Sequence, residues 1–458
     1  MTQVSTAEPT SPYESYVYAY PHKTAYRELD PRPALRDLWA AEPKDALALY
    51  FHIPFCEVRC GFCNLFTRIG APDGLDTAYL DALERQAAAT RAALGDGDDG
   101  DGGPRFANAA FGGGTPTYLT AAGLDRLCDI AERRMGADLR AVPLSVEASP
   151  ATATADRLAV LADRGATRLS LGVQTFVDAE ARAAVRPQRR ADVEAALGRI
   201  RAAGIPVLNI DLIYGIDGQT EATWQRSLDA ALAWRPEELY LYPLYVRPGT
   251  GLGGPPRDTP DAAPDDRRAW DGQRLRLYRH GRDVLLAAGY EQVSMRMFRR
   301  AGIPPSPADD HACQTDGMVG LGCGARSYTA RLHYSFDYAV GTREIRALID
   351  AYVATEDFTR AQYGRAIPPG DARRRHLLQS LLQAAGLDTA GYRARFGTDP
   401  AADFPAELAG FAARGWLDDT APPGRLRLSA TGLAHSDAVG PALFSPAVRA
   451  DMAAYELR

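Results

Sequence analysis

Between residues 47 and 244 the chain alternates short apolar runs with longer segments of helical period. The runs fall at 47–53, 105–111, 144–147, 168–173, 207–213 and 239–244. Between them, residues 75–94, 121–135, 153–164, 190–203 and 221–234 place apolar side chains at helical spacing. Short, nearly continuous apolar runs suit strands covered on both faces. The helical segments suit the crossovers that parallel strands need. The pattern predicts an α/β fold of six βα units, an open or partial (β/α)6 barrel. Polar motifs sit where each strand ends, the edge at which α/β barrels carry their chemistry.

From residue 373 the pattern changes. Helical runs at 374–385, 389–396 and 404–414 lead to Gly415 and then to Arg425-Leu426-Arg427-Leu428. These predict a small C-terminal helical domain with a β-hairpin. The expected division is an N-terminal arm over 1–44, a barrel with its extension over 45–370, and the C-terminal domain over 371–458. The arm carries Tyr13, Tyr16, Tyr18, Tyr20 and Tyr26 around Pro21-His22-Lys23. It reads as a strap packed on the domain surface. The alternative is a lid over the barrel's open end, with His22 or Lys23 near substrate. Segments 95–103 and 255–266 read as surface loops.

The 458-residue chain is long enough for a large core, and its net charge is −6 with a pI near 5.7. An acidic balance argues against nucleic acid as an obligatory partner. No apolar run is long enough to span a bilayer, and the polar first eleven residues lack a signal-peptide core. The expectation is a cytoplasmic protein without a membrane partner, whose thiols stay reduced.

Three of the six cysteines, Cys56, Cys60 and Cys63, fall at i, i+4 and i+7 directly after the first strand. Pro54 and Gly61 disfavour a continuous helix there, so the strand runs into a long loop. Three thiolates in one loop can hold three corners of an iron–sulfur cube, leaving the fourth iron open for chemistry. A zinc site needs a fourth ligand nearby, and neither Asn64 nor the strand residue His52 supplies a good one. A disulfide with a spare thiol fits poorly without a secretory signal.

Cys-x3-Cys-x2-Cys resembles the signature of the radical S-adenosylmethionine (SAM) superfamily. The wider string Tyr50 to Cys63 is similar to the Tyr-x-His-Ile-Pro-Phe-Cys pattern of the oxygen-independent coproporphyrinogen III oxidase, or HemN-like, family. The resemblance implies a radical SAM barrel and a 4Fe–4S cluster on Cys56, Cys60 and Cys63. SAM would be chelated at the open iron and reductively cleaved to methionine and a 5′-deoxyadenosyl radical. It also implies an electron donor such as flavodoxin or ferredoxin, and a C-terminal domain that is winged-helix-like and serves as a lid.

Further motifs extend the resemblance in order along the chain. Gly112-Gly113-Gly114-Thr115-Pro116-Thr117 resembles the family's SAM-amine turn, pointing to Gly113, Gly114 and Thr115. Glu147, Gln174, Arg186 and Asp211 match positions where the family contacts SAM, the last at the ribose. Tyr50, Tyr242 and Gly324, the last in Gly320-Leu321-Gly322-Cys323-Gly324-Ala325-Arg326-Ser327, complete the implied cofactor contacts, one or two SAM molecules included. Ile216-Asp217 stands where the family has Leu-Pro, a loop variation. Cys128 lies in a helical pattern and reads as a packed hydrophobe. Cys313 and Cys323 flank the Gly-rich loop; beside a packing role, a thiol there is a candidate hydrogen-atom donor, and His311 a candidate general base.

Three activities of the family compete. Coproporphyrinogen decarboxylases resemble Cys-x3-Cys-x2-Cys-x-Cys, but Leu65 stands at the last position. Haem chaperones resemble His-Asn-x-x-Tyr-Trp, but this chain reads His311-Ala312-Cys313-Gln314-Thr315-Asp316. These departures leave the HemN-like (class C) methyltransferases and cyclopropanases. There, a second SAM alkylates an sp2 carbon of an aromatic or conjugated small molecule.

Overall fold

The computed structural model describes residues 11–95, 103–247, 250–252, 264–305 and 313–455. Its strands are β1 Arg27–Glu28, β2 Leu47–Ile53, β3 Phe106–Gly113, β4 Leu144–Ala148, β5 Ala166–Gln174, β6 Val207–Tyr214, β7 Glu238–Pro243, β8 Tyr290–Gln292, β9 Met297–Arg300, β10 Met318–Leu321, β11 Arg326–Tyr328, β12 Leu332–Ser335, β13 Tyr363–Ala366, β14 Leu387–Asp388 and β15 Arg425–Leu426. The first thirteen form one sheet in the order β1-β13-β12-β11-β10-β2-β3-β4-β5-β6-β7-β9-β8. Strands β2 to β7 are consecutive and parallel, as six βα units require. The sheet does not close, so this is a partial barrel.

The crossovers form for local reasons. The Thr120 side chain accepts from Gly123 N–H at the start of helix Ala121–Asp129, and Thr220 caps helix Glu221–Ala233 in a capping box. Gly204, at φ 73°, stops helix Arg190–Ala203 in the left-handed conformation that side chains avoid. The segment read as one helix over 121–135 loosens into a π turn at Ile130–Arg134. The outward faces of β2 to β7 and the helices over them share one apolar core.

Two features went beyond the pattern. Strand β10 adds parallel to β2 on the side opposite β3, and β11 to β13 follow antiparallel. A Cβ at Gly320 would lie 2.0 Å from the Arg326 carbonyl oxygen, so β10 and β11 can pair only with glycine there. The arm, secondly, is not laid on the surface. Val17, Tyr20 and Ala25 belong to the C-terminal core with Leu377, Tyr392, Trp416 and Val439, while Tyr13 joins the barrel core. The arm is thus a seam between two cores.

The expected C-terminal hairpin is a small sheet. Strand β14 pairs with β15, and Leu417 bridges Leu428. Two further helices, Ser436–Ala442 and Pro446–Ala453, carry the latch to the barrel. Asp437, almost fully buried, accepts from Arg296 Nη2 and from Tyr245 Oη. Asp437→Ala would strand the Arg296 guanidinium in the interior, at a cost of about 3–5 kcal/mol. The expected result is a clear fall in thermal midpoint, and an unchanged midpoint would show that the latch carries no weight.

Segments 96–102 and 253–263, which hold most of both expected loops, lie outside the described residues, as does His311. No described helix is long and apolar enough to cross a membrane.

Candidate active site

Strand alternation builds the lumen. Leu49, Phe51, Val146, Leu169, Leu171, Ile210, Leu212, Leu239 and Leu241 face the helices and are buried. The intervening positions turn Tyr50, Glu147, Arg168, Ser170, Gln174, Asn209, Asp211, Tyr240 and Tyr242 inward. Arg168, Ser170, Asn209 and Tyr240 were not among the expected site residues. The strict period of two in Arg168-Leu169-Ser170-Leu171 and Tyr240-Leu241-Tyr242 was the signal for them.

The floor of the lumen is a hydrogen-bonded layer. Arg168 Nε donates to Glu238 Oε2 at 2.7 Å and Nη1 to Ser145 Oγ at 3.0 Å. Asn209 Nδ2 donates to Ser170 Oγ and to Asp211 Oδ1, both at 2.8 Å, and Ser170 Oγ donates to Asp211 Oδ2 at 3.1 Å. Two carboxylates rise from this layer. Glu147 is accessible from the lumen yet enclosed by the barrel wall. That enclosure pushes its pKa up to about 7, opposed by Gly113 N–H, which donates to Oε2 at 3.0 Å. Burial also raises Asp211, against the pull of Asn209. An acidic pair held under such a penalty favours a cationic ligand.

The three cysteines line the loop after β2. Cys63 N–H donates to the Cys60 carbonyl at 3.0 Å, and Cys56 N–H to the Arg68 carbonyl at 3.1 Å. Gly61 is wedged: its N–H reaches Ala184 O at 3.1 Å, and an added Cβ would lie 2.9 Å from Ala184, Val185 and Leu252. Thr115 Oγ1 lies 3.4 Å from Cys56 Sγ, and Arg186 Nη1 donates to Cys60 Sγ at 2.9 Å. Burial pushes Cys56 up to about 12 and raises Cys63, so the thiolates need a cation to form. Among the described residues no three His, Cys, Asp or Glu side chains converge as a single-ion site would require. A cube puts each thiolate on a different iron, so its sulfurs stay apart. An all-thiolate donor set with an N–H aimed at one sulfur fits such a cube.

Gln174 and Arg186 meet at the end of β5. A bulge between Gly172 and Gln174 leaves Gln174 at φ 71°, a conformation that costs a non-glycine residue free energy. Arg186 donates to the Gly172 carbonyl and, at 2.6 Å, from Nε to Gln188 Oε1. It therefore ties the cysteine loop to the strand end. The glycines do a related job. Gly113 and Gly324 pack the His52 ring between them, with their missing Cβ atoms 2.6 and 2.2 Å from it. His52 in turn bridges Tyr50 Oη at 3.2 Å and the Phe66 carbonyl at 3.1 Å. Gly114 backs onto Phe55 and Ile53 backbone.

A model described as the radical SAM superfamily matches residues 50–231. The chain is 32% identical over 293 residues to the heme chaperone HemW of Synechocystis sp., covering 61% of this chain and 66% of that protein. It is 30% identical over 288 residues to HemW of Bacillus subtilis, covering 61% and 70%. The fold superposes on the solved structure of coproporphyrinogen III oxidase (HemN) from Escherichia coli with a TM-score of 0.76. That match is 24% identical and covers 93% of this chain and 96% of that one. The chain belongs to the HemN-like family of the radical SAM superfamily. A 4Fe–4S cluster and SAM are the cofactors of this family.

In this HemN-like protein the lumen gathers Tyr50, Glu147, Gln174, Asp211 and Tyr242 on one side of the cysteine loop, with Thr115 and Arg186 at its edge. One expectation is corrected. Cys323 is 2% exposed and faces Tyr79 Oη at 3.7 Å, on the helix side of the sheet and away from the lumen, so it is a packing residue. Gly324, expected as a cofactor contact, packs against the His52 ring, as Gly113 does. Cys313 stays partly accessible, with burial pushing its thiol up to about 11.

Proposed function

We propose that Cys56, Cys60 and Cys63 each bind one iron of the cluster and that the fourth iron takes SAM. Glu147, Gln174, Asp211, Tyr50 and Tyr242 line the SAM sites, with Gly113, Gly114 and Thr115 shaping the wall. Arg186 holds Cys60 and the β5 end in place. Cluster and SAM supply reductive cleavage of the sulfonium to methionine and a 5′-deoxyadenosyl radical. The chain uses this to alkylate, by methylation or cyclopropanation, an sp2 carbon of an aromatic or conjugated small molecule, with carbon from a second SAM. An electron donor such as flavodoxin or ferredoxin serves it in the cytoplasm. The arm over 1–44 and the C-terminal domain over 371–458 act as the lid of the barrel domain over 45–370.

The observation that carries the choice is what stands at two diagnostic places. Leu65, where the decarboxylases resemble a cysteine, is 48% exposed at the end of the loop. Gln314, in the stretch where the chaperones resemble a haem motif, is committed elsewhere: its Oε1 accepts from Tyr20 N–H at 2.9 Å and its Nε2 donates to Tyr18 O at 3.1 Å. A row of rings, Tyr18, Tyr16, Tyr242 and Tyr240, with neighbouring centroids 5.6, 6.3 and 5.8 Å apart, also suits a flat substrate.

The test is anaerobic turnover of reconstituted protein with SAM deuterated on its methyl group. Deuterium in 5′-deoxyadenosine, together with S-adenosylhomocysteine, is the expected result. Unlabelled deoxyadenosine without S-adenosylhomocysteine, in the presence of coproporphyrinogen, would replace alkylation by decarboxylation. No deoxyadenosine together with tight haem binding would make the protein a chaperone, as its HemW relatives are named.

A further inference from the structure

The lumen is electrostatically two-ended. Glu147 and Asp211 rise from β4 and β6. Across the row of tyrosine rings, where the arm meets β11, the charged groups are cations. Arg326 Nη1 donates to Tyr18 Oη at 3.0 Å and Nε to Tyr328 Oη at 3.1 Å, with the guanidinium 4.7 Å from the Tyr18 ring centre. Lys23 Nζ lies 3.5 Å from the centre of the Tyr338 ring, whose hydroxyl donates to the Asn64 carbonyl, next to Cys63. His22 Nε2 is 3.4 Å from Tyr18 Oη.

What this end lacks is an acid. Arg168, Arg274, Arg296 and Arg365 each pair with a carboxylate. Among the described residues no carboxylate lies within ion-pair reach of Arg326 or Lys23. The layer behind them is equally short of one. Among the described residues the side chain of Arg375, 4% exposed, bonds only His333 Nε2, at 2.7 Å. Among the described residues Tyr26 Oη and His333 Nδ1 find no hydrogen-bond partner, though both are buried. Enclosed cations without a paired carboxylate are costly unless a ligand brings an anion. Two of the five guanidinium N–H groups of Arg326 are spent on phenols, and its planar fork suits the paired oxygens of a carboxylate or phosphate.

We propose that Arg326 and Lys23, with Tyr18 between them, form an oxyanion subsite for the substrate, which is therefore an aromatic or conjugated acid. Its carboxylate or phosphate sits at the β11 end, and its ring lies along Tyr18, Tyr16 and Tyr242 toward Glu147 and Asp211. This rests on the lumen being the substrate chamber, and it deepens that reading by naming the substrate's charge. Arg326 is a binding residue here, and Gln314 a positioning residue that holds Tyr18 through its carbonyl.

The test is equilibrium binding to the reconstituted, SAM-loaded protein without reductant, so that no turnover is needed. The probes are benzoate, 1-naphthoate, phenyl phosphate and inorganic phosphate, with 1-naphthamide as the neutral control. Oxyanion binding, absent or at least about tenfold weaker for the amide, is expected. Arg326→Gln should weaken the oxyanions by about tenfold or more while leaving SAM affinity and the cluster absorption unchanged. Lys23→Met, in the arm, gives the same reading should the β11 variant misfold. No binding by any oxyanion, or equal binding of the amide, overturns the subsite. A loss of SAM affinity equal to the loss of oxyanion affinity assigns the cations to a SAM carboxylate instead. Because deuterium transfer from SAM is not measured, alkylation and the subsite can fail separately.

Discussion

Cys60→Ala is expected to abolish cluster binding and every turnover that depends on it. Cys60 is the least exposed of the three thiols and the best fixed. Its sulfur takes the Arg186 N–H at 2.9 Å, and the next residue, Gly61, is wedged against Ala184 and Leu252. No other described thiol can swing in, because Cys128 and Cys323 are buried in the helix layer and Cys313 lies by Arg326. Two thiolates cannot hold three corners of a cube. Anaerobically reconstituted Cys60→Ala should therefore lose bound iron and sulfide and the visible cluster absorption, and form no 5′-deoxyadenosine. Cys128→Ala is the control: it deletes a buried sulfur in helix Ala121–Asp129, so it should cost some stability and keep the full iron content. Full iron in Cys60→Ala, or its loss in Cys128→Ala alone, would put the cluster elsewhere.

The family was legible before any coordinates, because the motifs that carry it are local. The cysteine spacing, the acids Glu147 and Asp211, and the glycine turn all lie on or directly after strands whose apolar runs announce themselves. What was not legible depends on long-range pairing. Arg326 is unremarkable in a Gly-rich stretch until β10 docks on β2 and β11 folds back to aim it at Tyr18. The arm's tyrosines could equally have covered a surface. Only the division of Val17 and Tyr20 to one core and Tyr13 to the other shows a seam. Cys323 shows the converse error, its sulfur facing Tyr79 and not the lumen. A Gly-rich loop signals close approach, and one group approached here is the His52 ring.

Glu147→Gln should separate the cost of this site from its use. In the folded protein enclosure lifts the Glu147 pKa from its ordinary 4.5 to about 7. Between those two values the folded chain keeps a proton that the unfolded chain has lost. Stability must then fall as pH rises from 4.5 to about 7, and level off above. Glutamine has no proton to lose, so Glu147→Gln removes this slope. Without SAM, its thermal midpoint should exceed that of the unaltered protein at pH 8, and the advantage should shrink toward zero as pH approaches 4.5. Asp211 interacts with Glu147, so the measured slope belongs to the pair. Ligand reverses the balance. SAM carries a sulfonium and an ammonium, which favour the ionised carboxylate. SAM affinity of the unaltered protein should therefore rise through pH 7, while in Glu147→Gln it should be weak and insensitive to pH in that range. A variant that gains no stability at pH 8, or that binds SAM as tightly as before, would remove Glu147 from the cofactor site. A stability gain paired with a binding loss would show that the barrel tolerates a strained acid because the cofactor needs it.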